Sequence, residues 1–191
     1  NGQLGDGTTN HSSSAINIII AASVTLSPTS LSFASLADTE TLTATVKDPG
    51  GATISGATVT WSSSDTDIAT VSSAGLVTSV ADGTATITAT SASASATASV
   101  TVTQVASTLE VSPSTLTLIS IGGTTTVTAT VKDANDSTIA GPTVTWSSSN
   151  TGIVTVSSAG LLTSVADGSA TITATSESVN GTAAVTVKET Q

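Results

Sequence analysis

Residues 61–91 read WSSSDTDIATVSSAGLVTSVADGTATITATS, and residues 146–176 read WSSSNTGIVTVSSAGLLTSVADGSATITATS. At this offset of 85 residues, 26 of the 31 aligned positions are identical. The register extends outward through Pro28 and Pro113, Lys47-Asp48 and Lys132-Asp133, and Val100-Thr101-Val102 and Val185-Thr186-Val187. Each copy is therefore a complete module, long enough to bury a core of its own. Within the repeat, Ala85, Ile87 and Ala89 alternate with threonines, so an extended chain would turn one face inward and show hydroxyls on the other.

The same period of two runs through Leu42, Ala44 and Val46, through Val59 and Trp61, and through Val100 and Val102, then through Val127, Ala129 and Val131 of the second copy. Turn signals separate these runs at short intervals: Asp48-Pro49-Gly50-Gly51, Ser73-Ala74-Gly75 and Ala81-Asp82-Gly83, with partners at Asp133 to Asp136, Gly160 and Asp167-Gly168. Short half-buried strands with frequent turns predict an all-β chain of two tandem antiparallel sandwiches. Each copy has a single tryptophan, Trp61 or Trp146, in phase with its apolar residues, and the expected role of both is to plug the core.

Composition removes several function classes. Three basic residues against a net charge of −10 leave no cation cluster to replace phosphate counterions, which excludes a nucleic-acid interface and disfavours anionic membrane. The absence of cysteine removes disulfides, thiolate nucleophiles and thiolate metal sites together. The longest apolar run, Ile18 to Ala22, is too short to span a bilayer, so no membrane insertion is expected in this segment. A Ser- and Thr-rich, Lys-poor surface points to an extracellular or bacterial cell-surface setting.

The repeated stretch from Trp61 to Ser91, with the opening strand Val24 to Leu31 and its partner Leu109 to Leu116, resembles the bacterial immunoglobulin-like domains of group 2 found in intimins and invasins. The resemblance implies immunoglobulin-like sandwiches at 23–106 and 107–191. It implies a non-catalytic stalk or adhesin module of a surface or secreted protein and brings no fixed ligand motif. Residues 1–22 form a separate extension. Its opening Asn1 to Thr9 resembles a regulator of chromosome condensation propeller repeat, less than one blade long. Ile16, Ile18, Ile19 and Ile20 then form one extra apolar strand with no sheet of its own. An unpaired strand is a template for pairing. The expected partners are thus the first sandwich itself, other copies of the chain, or other surface proteins, with donation of residues 16–22 to a neighbouring module giving a self-assembling filament as the alternative function.

Reactive chemistry finds little to build on. His11 is the sole histidine, so no imidazole pair or nucleophile–base pair can be assembled, and neither catalytic residues nor an enzyme is expected. Asp65, Asp67 and Asp82, with Asp133, Asp136 and Asp167, offer hard oxygen ligands of the kind calcium takes. Asp65-Thr66-Asp67 becomes Asn150-Thr151-Gly152 in the second copy, however, and turn capping explains the same residues. No resident metal or cofactor is therefore expected beyond this calcium option. Lys47 and Lys132 match across the copies, but Asn180, the candidate partner for an isopeptide bond, aligns with Ser95. Asn10, Asn135 and Asn180 head glycosylation sequons.

Overall fold

The computed structural model describes residues 20–190, which fold entirely as strands and turns. Module 1 contains β1 (Ser23–Ser27), β2 (Ser30–Phe33), β3 (Thr39–Thr41), β4 (Thr43–Lys47), β5 (Thr60–Ser63), β6 (Ala69–Val71), β7 (Leu76–Ser79), β8 (Gly83–Ser91) and β9 (Ala94–Val102). Module 2 repeats them as β10 (Thr108–Ser112), β11 (Thr115–Leu118), β12 (Thr124–Thr126), β13 (Thr128–Lys132), β14 (Thr145–Ser148), β15 (Val154–Val156), β16 (Leu161–Ser164), β17 (Gly168–Ser176) and β18 (Val179–Val187). One layer of module 1 is the four-stranded sheet β2-β9-β8-β5; β1-β4 and β3-β7-β6 supply the other. Module 2 has the same order, and each module closes around its own core cluster.

Alternation sets the layers. In β8 the side chains of Ala85, Ile87 and Ala89 are buried while Thr84 and Thr86 are exposed. In β9, Ala98, Val100 and Val102 face inward with Ser99 and Thr101 outward. A shift of one residue would put every threonine in the core, so burial fixes the β8–β9 register of Ile87 opposite Ala98.

Pairing is antiparallel throughout except at the second strand of each module. β1 runs antiparallel to β4, and beyond Pro28 the chain crosses to the other layer, where β2 lies parallel to β9. β10 and β11 repeat this around Pro113. Proline has no N–H to continue a ladder, so the strand ends there and its remainder joins the opposite sheet. The purely antiparallel expectation is corrected at these two places. The crossing lets one short segment feed both layers, with Val24 and Leu26 buried from one side and Leu31 and Phe33 from the other.

The tryptophans occupy the flank rather than the centre. Trp61 lies on the edge strand β5 opposite Ala89, half-buried against the core. The fully enclosed volume around it belongs to Leu42, Val77, Ile87, Val100 and Val102. Its indole reaches the turn before β7, where Gly75 has a φ of +82°. A Cβ added there would stand 2.5 Å from the Leu42 carbonyl oxygen and 2.9 Å from Trp61 Cζ2. Trp146 covers Gly160 in the same way. The invariant Ala-Gly-Leu of the repeat is thus the seat of the indole that closes the open side of the sandwich.

Gly51 also has a positive φ, +85°, but open space around it. Gly51→Ala should cost about 1–2 kcal/mol for the left-handed backbone alone, whereas Gly75→Ala adds overpacking and should cost about 2–5 kcal/mol. Equal losses in denaturant unfolding would show that the indole does not rest on Gly75.

Candidate functional site: the junction between the modules

The residues that join the modules leave no slack. Thr103 N–H donates to the Phe33 carbonyl and Val105 N–H to the Ala34 carbonyl, both in module 1. Gln104 N–H, between them, donates to Asp82 Oδ1 at 2.7 Å. Ala106 N–H then donates to Glu177 Oε2 at 3.1 Å and Ser107 N–H to the Lys132 carbonyl at 2.8 Å, both in module 2. Every amide from 103 to 107 is hydrogen-bonded, and the change of allegiance takes place between neighbouring residues. A flexible linker leaves its amides to solvent, and here every one of them is held.

Asp133, at the end of β13, lies at the centre of the junction and is almost fully buried. Its two carboxylate oxygens serve different modules. Oδ1 accepts Asn135 N–H at 2.9 Å and Ser137 N–H at 3.0 Å, capping its own turn. Oδ2 accepts Leu36 N–H at 2.8 Å and the Gln104 side-chain amide at 2.9 Å, both from the module 1 side. Asn135 adds to this by donating its Nδ2 to the Leu36 carbonyl at 2.8 Å and to Asp38 Oδ1 at 2.9 Å. Burial pushes the Asp133 carboxyl upward, but the hydrogen bonds from Leu36, Gln104, Ser137 and Asn135 outweigh it and hold the pKa below the ordinary 3.8.

Among the other acidic residues singled out in the sequence, Asp65 caps its own turn. Asp65 Oδ1 accepts Asp67 N–H, and Asn150 Oδ1 accepts Gly152 N–H in the same geometry, so the amide replaces the carboxylate without loss. Asp82 and Asp167 cap Gln104 and Glu189. Among the described residues no three His, Cys, Asp or Glu side chains converge as a metal site. A cleft of ≈ 350 Å³ beside the junction is lined by Ala106, Ile139, Pro142 and Glu177 among others, and its one carboxylate already holds Ala106 N–H. Asn135, read as a sequon, has its amide committed to the junction, while Asn180 is exposed on β18.

Asn10, His11, Ile16, Ile18, Ile19 and the propeller-like stretch lie outside the described residues. Ile20 is 56% exposed, Ala21 is buried in the module 1 core, and Ala22 N–H donates to the Lys47 carbonyl. The last two residues of the 16–22 stretch therefore extend β1 within their own module.

Both modules, with this geometry, match the bacterial Ig-like domain (group 2) family, at residues 20–102 and 105–187. The chain belongs to that family. Among curated relatives, Ice-binding protein 1 of Shewanella frigidimarina is 35% identical over 151 residues, 78% of this chain. The chain spans only 17% of that protein's length. Among solved structures, domains 1–6 of the surface layer protein SbsC match with 28% identity and a TM-score of 0.43, over 79% of this chain and 23% of that one. The Yersinia pseudotuberculosis adhesin InvE matches with 19% identity and a TM-score of 0.40, over 86% and 58% respectively. The junction residues of these group 2 Ig-like modules escaped the sequence reading because Lys-Asp is present in both copies. The signal lay in the departures from the repeat, Gln104 against Glu189 and Asn135 against Gly50.

A carboxyl with a depressed folded-state pKa contributes stability above its unfolded pKa and loses it as pH falls through the folded value. Wild type should therefore melt above Asp133→Asn at about pH 6, and the gap should shrink below the usual carboxylate range, toward about pH 2. A gap independent of pH would contradict the assignment.

Proposed function

We propose that the chain is a non-catalytic stalk segment of a bacterial cell-surface or secreted protein, one that holds whatever it carries at a fixed distance and orientation. The observation that carries this reading is the junction, in which a linker with every amide hydrogen-bonded and a shared buried carboxylate join two like modules end to end. A spacer needs length, repetition and resistance to bending. Family membership, the hydroxyl-covered outer faces of β8 and β9, and the low content of charged residues support it. The names of the S-layer and adhesin structures agree with a surface setting. Ice binding is a property named for the longer Shewanella protein, of which this chain matches a minor part.

A second reading has residues 16–22 add as a strand to a neighbouring molecule and link copies into a filament; the exposure of Ile20 favours it. Ala21 and Ala22 are already used in cis, which shortens the strand available for donation.

X-ray scattering coupled to light scattering decides between them. The stalk reading predicts monomer mass and an extended two-lobed distance distribution at all concentrations. A compact single-lobed profile would sink it, and mass growth abolished by deleting residues 1–19 would put the filament in its place.

A further inference from the structure

The two modules are nearly identical in sequence through their best-matched stretch, yet the groups at their ends differ. At the 85-residue offset, the module 1 pole of Leu36, Asp38 and Gln104 corresponds to Ile121, Gly123 and Glu189 of module 2. The module 2 tip of Asp133 and Asn135 corresponds to Asp48 and Gly50 of module 1. The backbone frame is the same at both poles: Gln104 N–H is held by Asp82 and Glu189 N–H by Asp167, at 2.7 and 2.8 Å. Val105 N–H donates to the Ala34 carbonyl, as Thr190 N–H does to that of Ile119. At the tips, Asp48 Oδ1 caps Ala52 N–H as Asp133 Oδ1 caps Ser137 N–H. Of the side chains that cross the junction, Asp38, Gln104 and Asn135 have changed between the copies, while Asp133 keeps its counterpart Asp48.

We infer that the junction is a keyed interaction surface: the pole carrying Leu36, Asp38 and Gln104 fits an Ig-like module with an Asp-x-Asn tip, and the pole of module 2 does not fit the tip of module 1. The inference deepens the stalk reading and rests on it. Consider the Asp48 tip of a second copy set on the module 2 pole in the junction's geometry. The Ile121 N–H still meets a carboxylate. Glu189, however, brings a second carboxylate to where Gln104 donates at 2.9 Å, and two anions that close oppose docking. Gly50 has no amide to replace that of Asn135, and Gly123 has no carboxylate to replace that of Asp38. Four of the junction's polar contacts cross from the Asp133–Asn135 tip to module 1; the exchange keeps one and turns another repulsive. Burial follows the same division: Leu36 is half-buried and Ser35 buried, while their counterparts Ile121 and Ser120 are exposed.

The key therefore sets order as well as rigidity. Specific pairing needs an element that rejects the wrong partner alongside one that binds the right one, and Glu189 is that element. End-to-end stacking of copies through these poles is disfavoured, while the tethered pair is held in one arrangement.

The test transplants the mismatched side chains into the tethered junction of the full chain: Asp38→Gly, Gln104→Glu and Asn135→Gly together, with Gln104→Glu alone as a second variant in case the triple substitution disturbs a module. Residual dipolar couplings report module orientation. In wild type, couplings from both modules should fit one alignment tensor. In either variant each module should still fit its own coordinates, but the common tensor should be lost. One shared tensor retained in both variants would overturn the inference while leaving an extended scattering profile, and so the stalk reading, intact. Two tensors in wild type would overturn it as well.

Discussion

One buried carboxylate, divided between two modules, governs how this chain behaves as a whole. Within each sandwich the forces are generic: alternating apolar side chains pack between two sheets, and any sequence with the same period would gain from the same burial. Between the sandwiches direction comes from hydrogen bonds. Asp133 supplies two oxygens with four donors, one oxygen facing each module. Hydrogen bonds to a buried charge are worth about 1.5–3 kcal/mol each, and removing the acceptor strands the donors as well. That gives the junction enough directional preference to hold an angle.

The backbone reinforces the side chains. Because Gln104 and Val105 donate to module 1 and Ala106 and Ser107 to module 2, bending the junction means breaking backbone hydrogen bonds rather than rotating a loose linker. Rigidity thus arises from continuity: the five residues between the last strand of one sandwich and the first strand of the next are all held through their amides. The cost of burying Asp133 is met by its partners, and no buried side-chain polar atom among the described residues lacks one.

Most of the sandwich was legible in the sequence because alternation is a local signal: Thr84 to Thr90 announces both its strand and its inward face. The parallel pairing of β2 with β9 was not, since nothing local to Ser30–Phe33 reveals which sheet the strand joins after Pro28. Trp61 is in phase with Val59, but phase gives a face and not a depth; lying on an edge strand, it closes the flank over Gly75. The junction was hidden for a different reason. Asp48 and Asp133 stand in the same Lys-Asp context and cap the same turn, and what distinguishes them is the module against which Asp133 lies. A strict repeat conceals its interfaces, and only the residues that break it, Gln104 and Asn135 among them, point there.

Residue-resolved amide hydrogen exchange tests the shared carboxylate most directly. The Leu36 N–H lies in a turn outside any strand, and its hydrogen-bond acceptor is Asp133 of the other module. Leu36 and Ala106 should exchange as slowly as strand amides in wild type, and Leu36 should lose its protection in Asp133→Ala while Ile87 keeps it. Fast exchange at Leu36 in the wild-type chain would mean that the modules are not locked and that the junction does not hold them.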